Sequence, residues 1–149
     1  MLTIKKMGAV ALVLGISFAA CTNDPDPEPY TRVAGYSLIR GVLDSVQTGQ
    51  VDIYENRDST TSLYLSVKKT TKDTVSKVYV IKGHVATPTT DTIFKGTLTG
   101  NGGRVEIPVW KNSTTIRYDS AVKIEAFAKV QYSATKDSIV AIGNILKFK

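Results

Sequence analysis

The side chains best suited to nucleophilic or metal chemistry are a single cysteine, Cys21, and a single histidine, His84. A zinc cage, a disulfide framework and a Cys/His nucleophile pair each require more such residues in the body of the chain, and Cys21 lies at the end of an apolar leader. A lone histidine is more often a surface or packing residue than a general base. The sequence therefore predicts no catalytic residue, no metal site and no cofactor, and we do not expect an enzyme.

Two carboxylates of one predicted strand, Asp52 and Glu55, come nearest to an acid and base pair. Strand residues three positions apart face opposite sides of a sheet, so cooperation between these two is not indicated. The glycines of segment 100–103 lie between predicted strands, and no helix follows to offer its N-terminus to a phosphate. Neither pattern predicts catalysis.

Three aromatic residues give the one signal for ligand binding. Tyr64, Tyr79 and Trp110 each alternate with aliphatic neighbours in sequence. If the aliphatic side chains point to the core, the three rings point outward, where a sugar or a partner protein can stack on them. The competing interpretation is that packing against loops or against the other strand face buries some of these rings.

An Asp-(Ser/Thr) pair recurs along the body of the chain. Of the seven aspartates after residue 31, six are followed by Ser or Thr and then by an aliphatic residue or Thr. Chance predicts about one or two such neighbours. The hydroxyl residues of the six pairs are Ser45, Ser59, Thr74, Thr92, Ser120 and Ser138.

Turn chemistry is one explanation for this recurrence, because Asp caps turns and β-branched residues begin the next strand. Asp-(Ser/Thr)-aliphatic also resembles the O-glycosylation acceptor sequence of exported Bacteroidota proteins. That resemblance implies a glycoprotein with sugars on the six hydroxyls. The two explanations are compatible, because an attached sugar has to lie on an exposed turn.

The positive charge of the chain is diffuse. The formal net charge is +6, and without the lysines of the leader it is about +4. Nucleic-acid binding requires basic residues gathered on one face, so we expect no nucleic-acid partner. The densest basic cluster is Lys68, Lys69 and Lys72, where a solvated hairpin end is favoured over a phosphate site.

Residues 1–20 have the order of a secretory signal peptide. Lys5 and Lys6 precede fourteen uncharged, mostly apolar residues that end in small side chains. A membrane-spanning helix needs about 20 apolar residues, so this segment is too short to remain as a transmembrane anchor.

The junction Phe18-Ala19-Ala20-Cys21 resembles the lipobox of bacterial lipoproteins, with Phe where Leu is usual. The resemblance implies cleavage before Cys21 and attachment of diacylglycerol and further fatty chains, such as palmitate, at this residue. Two or more chains hold a protein stably on a bilayer. Ordinary cleavage that leaves a free thiol is the alternative.

Residues 21–31 read as an acidic, proline-rich tether. Pro25, Pro27 and Pro29 alternate with acidic residues, a composition that favours an extended spacer over packed structure. An acidic stretch directly after a lipidated cysteine also resembles the surface-export signal of Bacteroidota lipoproteins. The resemblance implies an outer-membrane protein displayed on the cell surface, with a periplasm-facing domain as the alternative.

The body, residues 32–149, shows the period-two pattern of β-strands. The clearest case is segment 122–132, in which Phe127 is the one apolar residue on the polar side, and its expected partner is segment 139–148. We predict a tight turn at Asn101-Gly102-Gly103, a break in the strand ladder at Thr87-Pro88-Thr89-Thr90, and no helix. The predicted strands are 33–43, 50–55, 62–69, 75–85, 92–99, 104–110, 114–132 with a break near Asp119, and 138–148.

This pattern predicts an all-β fold, an antiparallel β-sandwich of seven to eight strands of immunoglobulin or fibronectin type, with a small barrel as the alternative. Together with the anchor, it predicts an envelope lipoprotein that presents a non-enzymatic interaction or adhesion domain to envelope proteins. The alternative is an accessory carbohydrate-binding module of a glycan-capture system, with polysaccharide as its partner.

Overall fold

The computed structural model describes residues 29–41, 46–133 and 135–145, and these form eight strands and one short helix. In this part of the chain no helix has both the length and the apolar character needed to cross a membrane. The elements are β1 Tyr30–Ile39, β2 Gln47–Asn56, β3 Thr61–Val67, β4 Val75–His84, β5 Thr87–Thr99, β6 Val105–Ser113, α1 Tyr118–Ala121, β7 Ala126–Gln131 and β8 Ile139–Asn144.

All eight strands belong to one antiparallel sheet in the order β5-β4-β7-β8-β1-β2-β3-β6. The two strands at the ends of this order, β5 and β6, lie near each other, so the sheet is nearly closed. The predicted all-β antiparallel fold is confirmed, and its nearly closed sheet is consistent with a sandwich or a small barrel. Strand β1 begins at Tyr30, two residues before the predicted start of the body.

The hydrophobic core lies on the inner face of this sheet and contains side chains from most strands. Leu38 of β1, Ile53 of β2, Leu65 of β3 and Val80 of β4 are fully buried there. Each such side chain contributes roughly 1.5–3 kcal/mol by leaving water. The apolar residues of the predicted period-two pattern are therefore the ones that form the core.

The two ends of the sheet are built differently. At the end where β1 begins, α1 inserts Tyr118 and Ala121 into the core cluster and covers that end. At the opposite end, where β1, β3 and β7 finish, the strand ends surround an open cavity. This difference places two separate surfaces at the two ends of the domain.

The prediction of a strand over 114–132 is wrong in its first half, as is the prediction of no helix. α1 occupies Tyr118–Ala121, and β7 begins only at Ala126. The expected break near Asp119 is confirmed, because Asp119 lies in the first turn of α1. A four-residue helix is too short to show a helical period, so alternation on its flanks hid it.

The break in the ladder predicted at Thr87-Pro88-Thr89-Thr90 falls inside β5, which begins at Thr87 and not at the predicted residue 92, and the β4–β5 pairing shifts register here, between Ile81 and Gly83. The hairpin turn lies one step earlier, at residues 85 and 86. Proline is tolerated because β5 is an edge strand in the sheet order. The turn at Asn101-Gly102-Gly103 is confirmed, and Gly102 supplies its positive φ of 89°.

Strand β7 pairs with β8 as predicted, but Phe127 does not face water. It lies outside the inner core cluster and is nevertheless only 4% exposed. Ile81 of β4 lies directly opposite Phe127, so two large apolar side chains share this outer position. An alternating pattern shows which side a residue faces and does not show what covers that side.

Candidate functional site

A groove on the outer face of β2 and β3 brings three tyrosines together, and we call it the tyrosine groove. The rings of Tyr30 and Tyr54 are 4.8 Å apart between centroids, and those of Tyr54 and Tyr64 are 5.8 Å apart in an edge-to-face arrangement. All three residues are half-buried and line an open groove of about 540 Å³. This contiguous aromatic surface is suited to an apolar ligand face.

The groove is bordered by amide and hydroxyl groups with fixed positions. The side-chain nitrogen of Asn56 donates to Thr60 Oγ1 at 2.8 Å and to Ser62 Oγ at 3.0 Å. The same Asn56 nitrogen donates to the side-chain oxygen of Asn112 at 3.3 Å, and the backbone N–H of Asn112 donates to Ser62 Oγ at 3.0 Å. Asn56 and Asn112 therefore present oriented amides beside the rings, as a site for a hydroxyl-rich ligand requires.

Two ionisable groups in the groove are shifted by their surroundings. Burial raises the pKa of Tyr54, and the nearby carboxylate of Asp52 adds to the rise. Hydrogen bonds from the hydroxyl and backbone N–H of Thr60 lower the pKa of Asp58. At neutral pH the groove therefore presents a neutral Tyr54 phenol near an ionised Asp58.

The three aromatic residues predicted to bind ligand do not form one site. Tyr64 lies in the tyrosine groove. Tyr79 lies on β4 beneath Lys129, whose Nζ is 5.4 Å from the ring centroid. Because β4 and β3 are separated by four strands in the sheet order, Tyr64 and Tyr79 belong to different surfaces.

Trp110 does not have the expected outward orientation. A register shift in the β3–β6 pairing places Trp110 opposite Leu63, and its ring packs against the core cluster. Its indole N–H is buried and finds no hydrogen-bond acceptor among the described residues. Tyr30 and Tyr54 were not predicted from the sequence, although Tyr54 alternates with Ile53 in the way that identified Tyr64.

The Asp-(Ser/Thr) pairs serve several structural roles. Asp58 accepts two hydrogen bonds in the β2–β3 turn, where Ser59 has a positive φ of 63°. Asp73 and Asp137 each lie two residues before a strand begins, whereas Asp91 lies within β5 and pairs with a lysine. Turn capping therefore accounts for some of the pairs and not for all of them.

The proposed glycosylation hydroxyls differ in exposure, and glycosylation itself stays a prediction. Cys21 and Ser45 lie outside the described residues. Thr74 is half-buried. The exposed members of the set are Ser59, Thr92, Ser120 and Ser138.

A charged cluster fastens α1 to the sheet. The guanidinium of Arg32 donates to both carboxylate oxygens of Glu55, at 2.6 and 2.8 Å, and to Asp119 at 2.8 Å. It also lies 4.4 Å from the ring centroid of Tyr118. The hydrogen bonds from Arg32, followed by one from Thr31, lower the pKa of Glu55 to about 2.

At the open end of the sheet, four basic residues surround a cavity of about 760 Å³, which we call the basic cavity. They are Arg40, Lys68, Lys69 and Lys136. Two of them belong to the lysine cluster noted in the sequence, which therefore lines a concave surface, and Lys72 is not among the lining residues. Within the described ranges, no group of three or more His, Cys, Asp or Glu side chains could hold a metal ion.

No protein-family model matches the chain, and neither a curated protein nor a solved structure matches it. Similarity therefore assigns no family and no function. The tyrosine groove, the basic cavity and the sequence of the leader are therefore the features that bear on function.

Proposed function

We propose that this chain is an outer-membrane lipoprotein, anchored through Cys21, that presents a non-enzymatic interaction or adhesion domain at the cell surface. The order of segments carries the proposal. A signal-like leader ends at Cys21, an acidic proline-rich segment follows, and the first strand begins at Tyr30 directly after Pro29. Envelope proteins are the proposed partners.

The number of residues in the tether supports presentation at a distance from the bilayer. Eight residues separate Cys21 from Tyr30, and fully extended they reach roughly 26–29 Å. The tether enters the domain at the end covered by α1, which is also the end that carries the tyrosine groove. Both the groove and the opposite end of the domain can therefore face partners above the membrane.

Anchoring is tested by labelling cells with a palmitate analogue and comparing wild type with Cys21→Ser. We expect label on the wild-type protein and its loss in the variant, with the variant leaving the membrane fraction. Cys21 is the only cysteine, so no second thiol complicates the comparison. A wild-type protein that carries no label, or a variant that keeps it, would contradict the anchor.

Display is tested by protease treatment of intact cells, with a periplasmic protein as the control for lysis. We expect the domain to be digested while the periplasmic control survives. Digestion that occurs only after the cells are opened would show a periplasm-facing domain. That result would contradict surface display without contradicting the lipid anchor.

The tyrosine groove favours a second candidate function, an accessory carbohydrate-binding module. Its rings offer a contiguous apolar surface, and the amides of Asn56 and Asn112 lie beside them. Ligand sites of this kind combine an aromatic lining with a few well-placed polar groups that fix orientation. A polysaccharide matches both the aromatic lining and the polar groups, because its sugar rings have apolar faces and hydroxyl edges.

Affinity electrophoresis in gels containing amylopectin, xylan or mannan tests the groove. We expect retardation by at least one of these polysaccharides and about tenfold weaker binding by Tyr54→Ala and Tyr64→Ala. Tyr79→Ala is the matched control, because it removes a tyrosine on β4 away from the groove. Equal loss in all three variants, or no retardation of the wild type, would contradict a glycan site here.

A further inference from the structure

The basic cavity is assembled from segments that are far apart in sequence. Arg40 follows β1, Lys68 and Lys69 follow β3, and Lys136 precedes β8. The pairings of β1 with β8 and with β2, and of β2 with β3, bring these segments to one end of the sheet. With about 760 Å³ of space, the cavity lies within the range of roughly 300–1,000 Å³ that is typical of small-molecule sites.

The cavity wall carries positive charge that the described residues do not neutralise. Among the described residues that line the cavity there is no Asp or Glu. Lys68 donates to the amide oxygen of Gln47 at 2.8 Å rather than to a carboxylate. Asp137, next to Lys136 in sequence, lies 3.9 Å from Lys77 and accepts from Gln131 instead. Four cations around one concavity favour an anionic occupant.

Hydrogen bonds between loops hold the basic wall in position. The N–H of Thr70 donates to the carbonyl of Gly103 at 2.9 Å, and its hydroxyl donates to the same oxygen at 2.8 Å. The N–H of Asp73 donates to the carbonyl of Gly100 at 3.0 Å. The loop that carries Lys68 and Lys69 is therefore tied to the β5–β6 loop, so the cavity is formed before a ligand arrives.

The same cavity exposes aliphatic surface at its mouth. Val46 and Ile139 are 60% and 38% exposed, and they are two of the four large hydrophobic residues that the described part of the chain leaves open to water. Val140 lies beside them, half-buried. An occupant that contacts the lysines would also contact this apolar surface.

We infer that the basic cavity binds an anionic amphiphile, a phosphate or carboxylate group attached to an aliphatic chain. Charge-assisted hydrogen bonds from the lysines and Arg40 would hold the anionic head. The chain would cover Val46 and Ile139 and remove their apolar surface from water. This site lies at the end of the domain opposite the tyrosine groove, and it requires neither the glycan site nor surface display.

Calorimetric titration of the full chain in phosphatidylcholine nanodiscs tests the inference, with empty nanodiscs as the blank for partitioning. The probes are octyl phosphate, octanoate, inorganic phosphate and octyl glucoside. We expect saturable binding of octyl phosphate or octanoate at one site per chain. Inorganic phosphate, which lacks the aliphatic chain, and octyl glucoside, which lacks the charge, should bind at least about tenfold more weakly.

Matched variants locate the binding. Lys68→Gln combined with Lys69→Gln should weaken octyl phosphate binding about tenfold, and Ile139→Asn should weaken octyl phosphate binding but not inorganic phosphate binding. Lys72→Gln combined with Lys95→Gln removes the same charge at exposed positions outside the cavity and should change nothing. Equal affinity for inorganic phosphate and octyl phosphate, or equal weakening by both double variants, would overturn the inference.

A membrane lipid and a free amphiphile share this chemistry, and a lipid exchange distinguishes them. Repeating the titration in nanodiscs that contain phosphatidylglycerol should suppress octyl phosphate binding if anionic lipid from the bilayer occupies the cavity. Undiminished binding would identify a free amphiphile as the ligand. If phosphatidylglycerol suppresses octyl phosphate binding equally in the variant Lys68→Gln combined with Lys69→Gln, the lipid acts at a site other than the cavity. That result would contradict the proposed site.

Discussion

At the scale of single residues, the guanidinium of Arg32 connects three elements of the fold, namely β1, β2 and α1. It binds Glu55 of β2 through both carboxylate oxygens and reaches Asp119 of α1 with a third N–H. Bidentate pairing is the geometry in which Arg and carboxylate interact best. Because Glu55 is ionised in these bonds, its titration couples directly to the stability of the fold.

The low pKa of Glu55 predicts an acid-dependent loss of stability. The folded-state pKa, about 2, lies below the ordinary value of 4.5, so Glu55 stabilises the fold fully above about pH 4.5. This contribution is lost as the pH falls from 4.5 through 2. Melting temperatures measured by circular dichroism should therefore fall less steeply over this interval in Glu55→Gln than in the wild type.

Glu125→Gln is the control for this pH dependence, because it removes an exposed carboxylate without touching the Arg32 cluster. It should retain the wild-type slope. Parallel curves for wild type and Glu55→Gln below pH 4.5 would contradict the role given to the Arg32 pair.

Trp110 provides a second residue-scale prediction. Its buried indole N–H has no acceptor in the described part of the chain, and a buried donor without a partner costs about 1–3 kcal/mol. Trp110→Phe removes that donor but also replaces the indole with a smaller ring, and because these effects oppose each other the free energy of unfolding in urea should change by less than about 1 kcal/mol. Trp110→Ala should lose about 2 kcal/mol or more, because it removes the ring itself. A large loss in Trp110→Phe would show that the N–H has a partner.

At the scale of elements, α1 acts as the cover of one end of the sheet. It has only four residues, too few to be stable by itself, so its position depends on tertiary contacts. Tyr118 and Ala121 bury 92% and 99% of their surfaces, since they are 8% and 1% exposed. Burial also raises the pKa of Tyr118.

Removing the Tyr118 ring should uncover this end of the core. We expect Tyr118→Ala to lower the free energy of unfolding by about 3 kcal/mol. Tyr118→Phe retains the ring beneath Arg32 and should remain within about 1 kcal/mol of the wild type. Urea unfolding followed by circular dichroism measures both variants. Equal stability of Tyr118→Ala and wild type would show that α1 does not cover the core.

Some elements of the fold could be predicted from sequence patterns and others could not. Alternation identified the strands around Leu65 and Val80 and the β7–β8 hairpin, because each strand has one face in the core. It could not identify α1, whose four residues make little more than one helical turn, or the burial of Phe127 on the outer face. Those features depend on what packs against an element and not on its own period.

The candidate sites were only partly predictable for a similar reason. Tyr64 was identified, but a register shift turned Trp110 toward the core, and a shift of this kind leaves no trace in the sequence. Lys68 and Lys69 were recognised as a cluster. Arg40 and Lys136 join them through pairings between distant strands, which no local pattern reveals.

At the scale of the whole molecule, the direction of β1 separates the two proposed binding surfaces. The strand begins at the tether and the tyrosine groove and ends beside the basic cavity. Its ten residues span about 30 Å at roughly 3.3 Å per residue. An anchor at Cys21 therefore places the groove nearer to the bilayer than the cavity when the domain stands upright.

This polarity predicts that tether length affects the two surfaces differently. Deleting residues 22–28 leaves Cys21 next to Pro29 and reduces the reach of the tether to a few ångströms, roughly 3–7 Å. If the groove binds a polysaccharide as proposed, retention of that polysaccharide on intact cells should fall, because the bilayer then crowds the groove. Affinity for octyl phosphate at the opposite end should stay within about twofold of the wild type.

Replacing residues 22–28 with seven Gly and Ser residues separates length from composition, because such a linker keeps a comparable reach. That variant should retain polysaccharide as the wild type does, while palmitate labelling confirms that all three proteins are anchored. Equal loss of both ligands after the deletion would mean that the domain does not stand upright. The two surfaces would then lie at similar distances from the membrane, and shortening the tether would affect both of them alike.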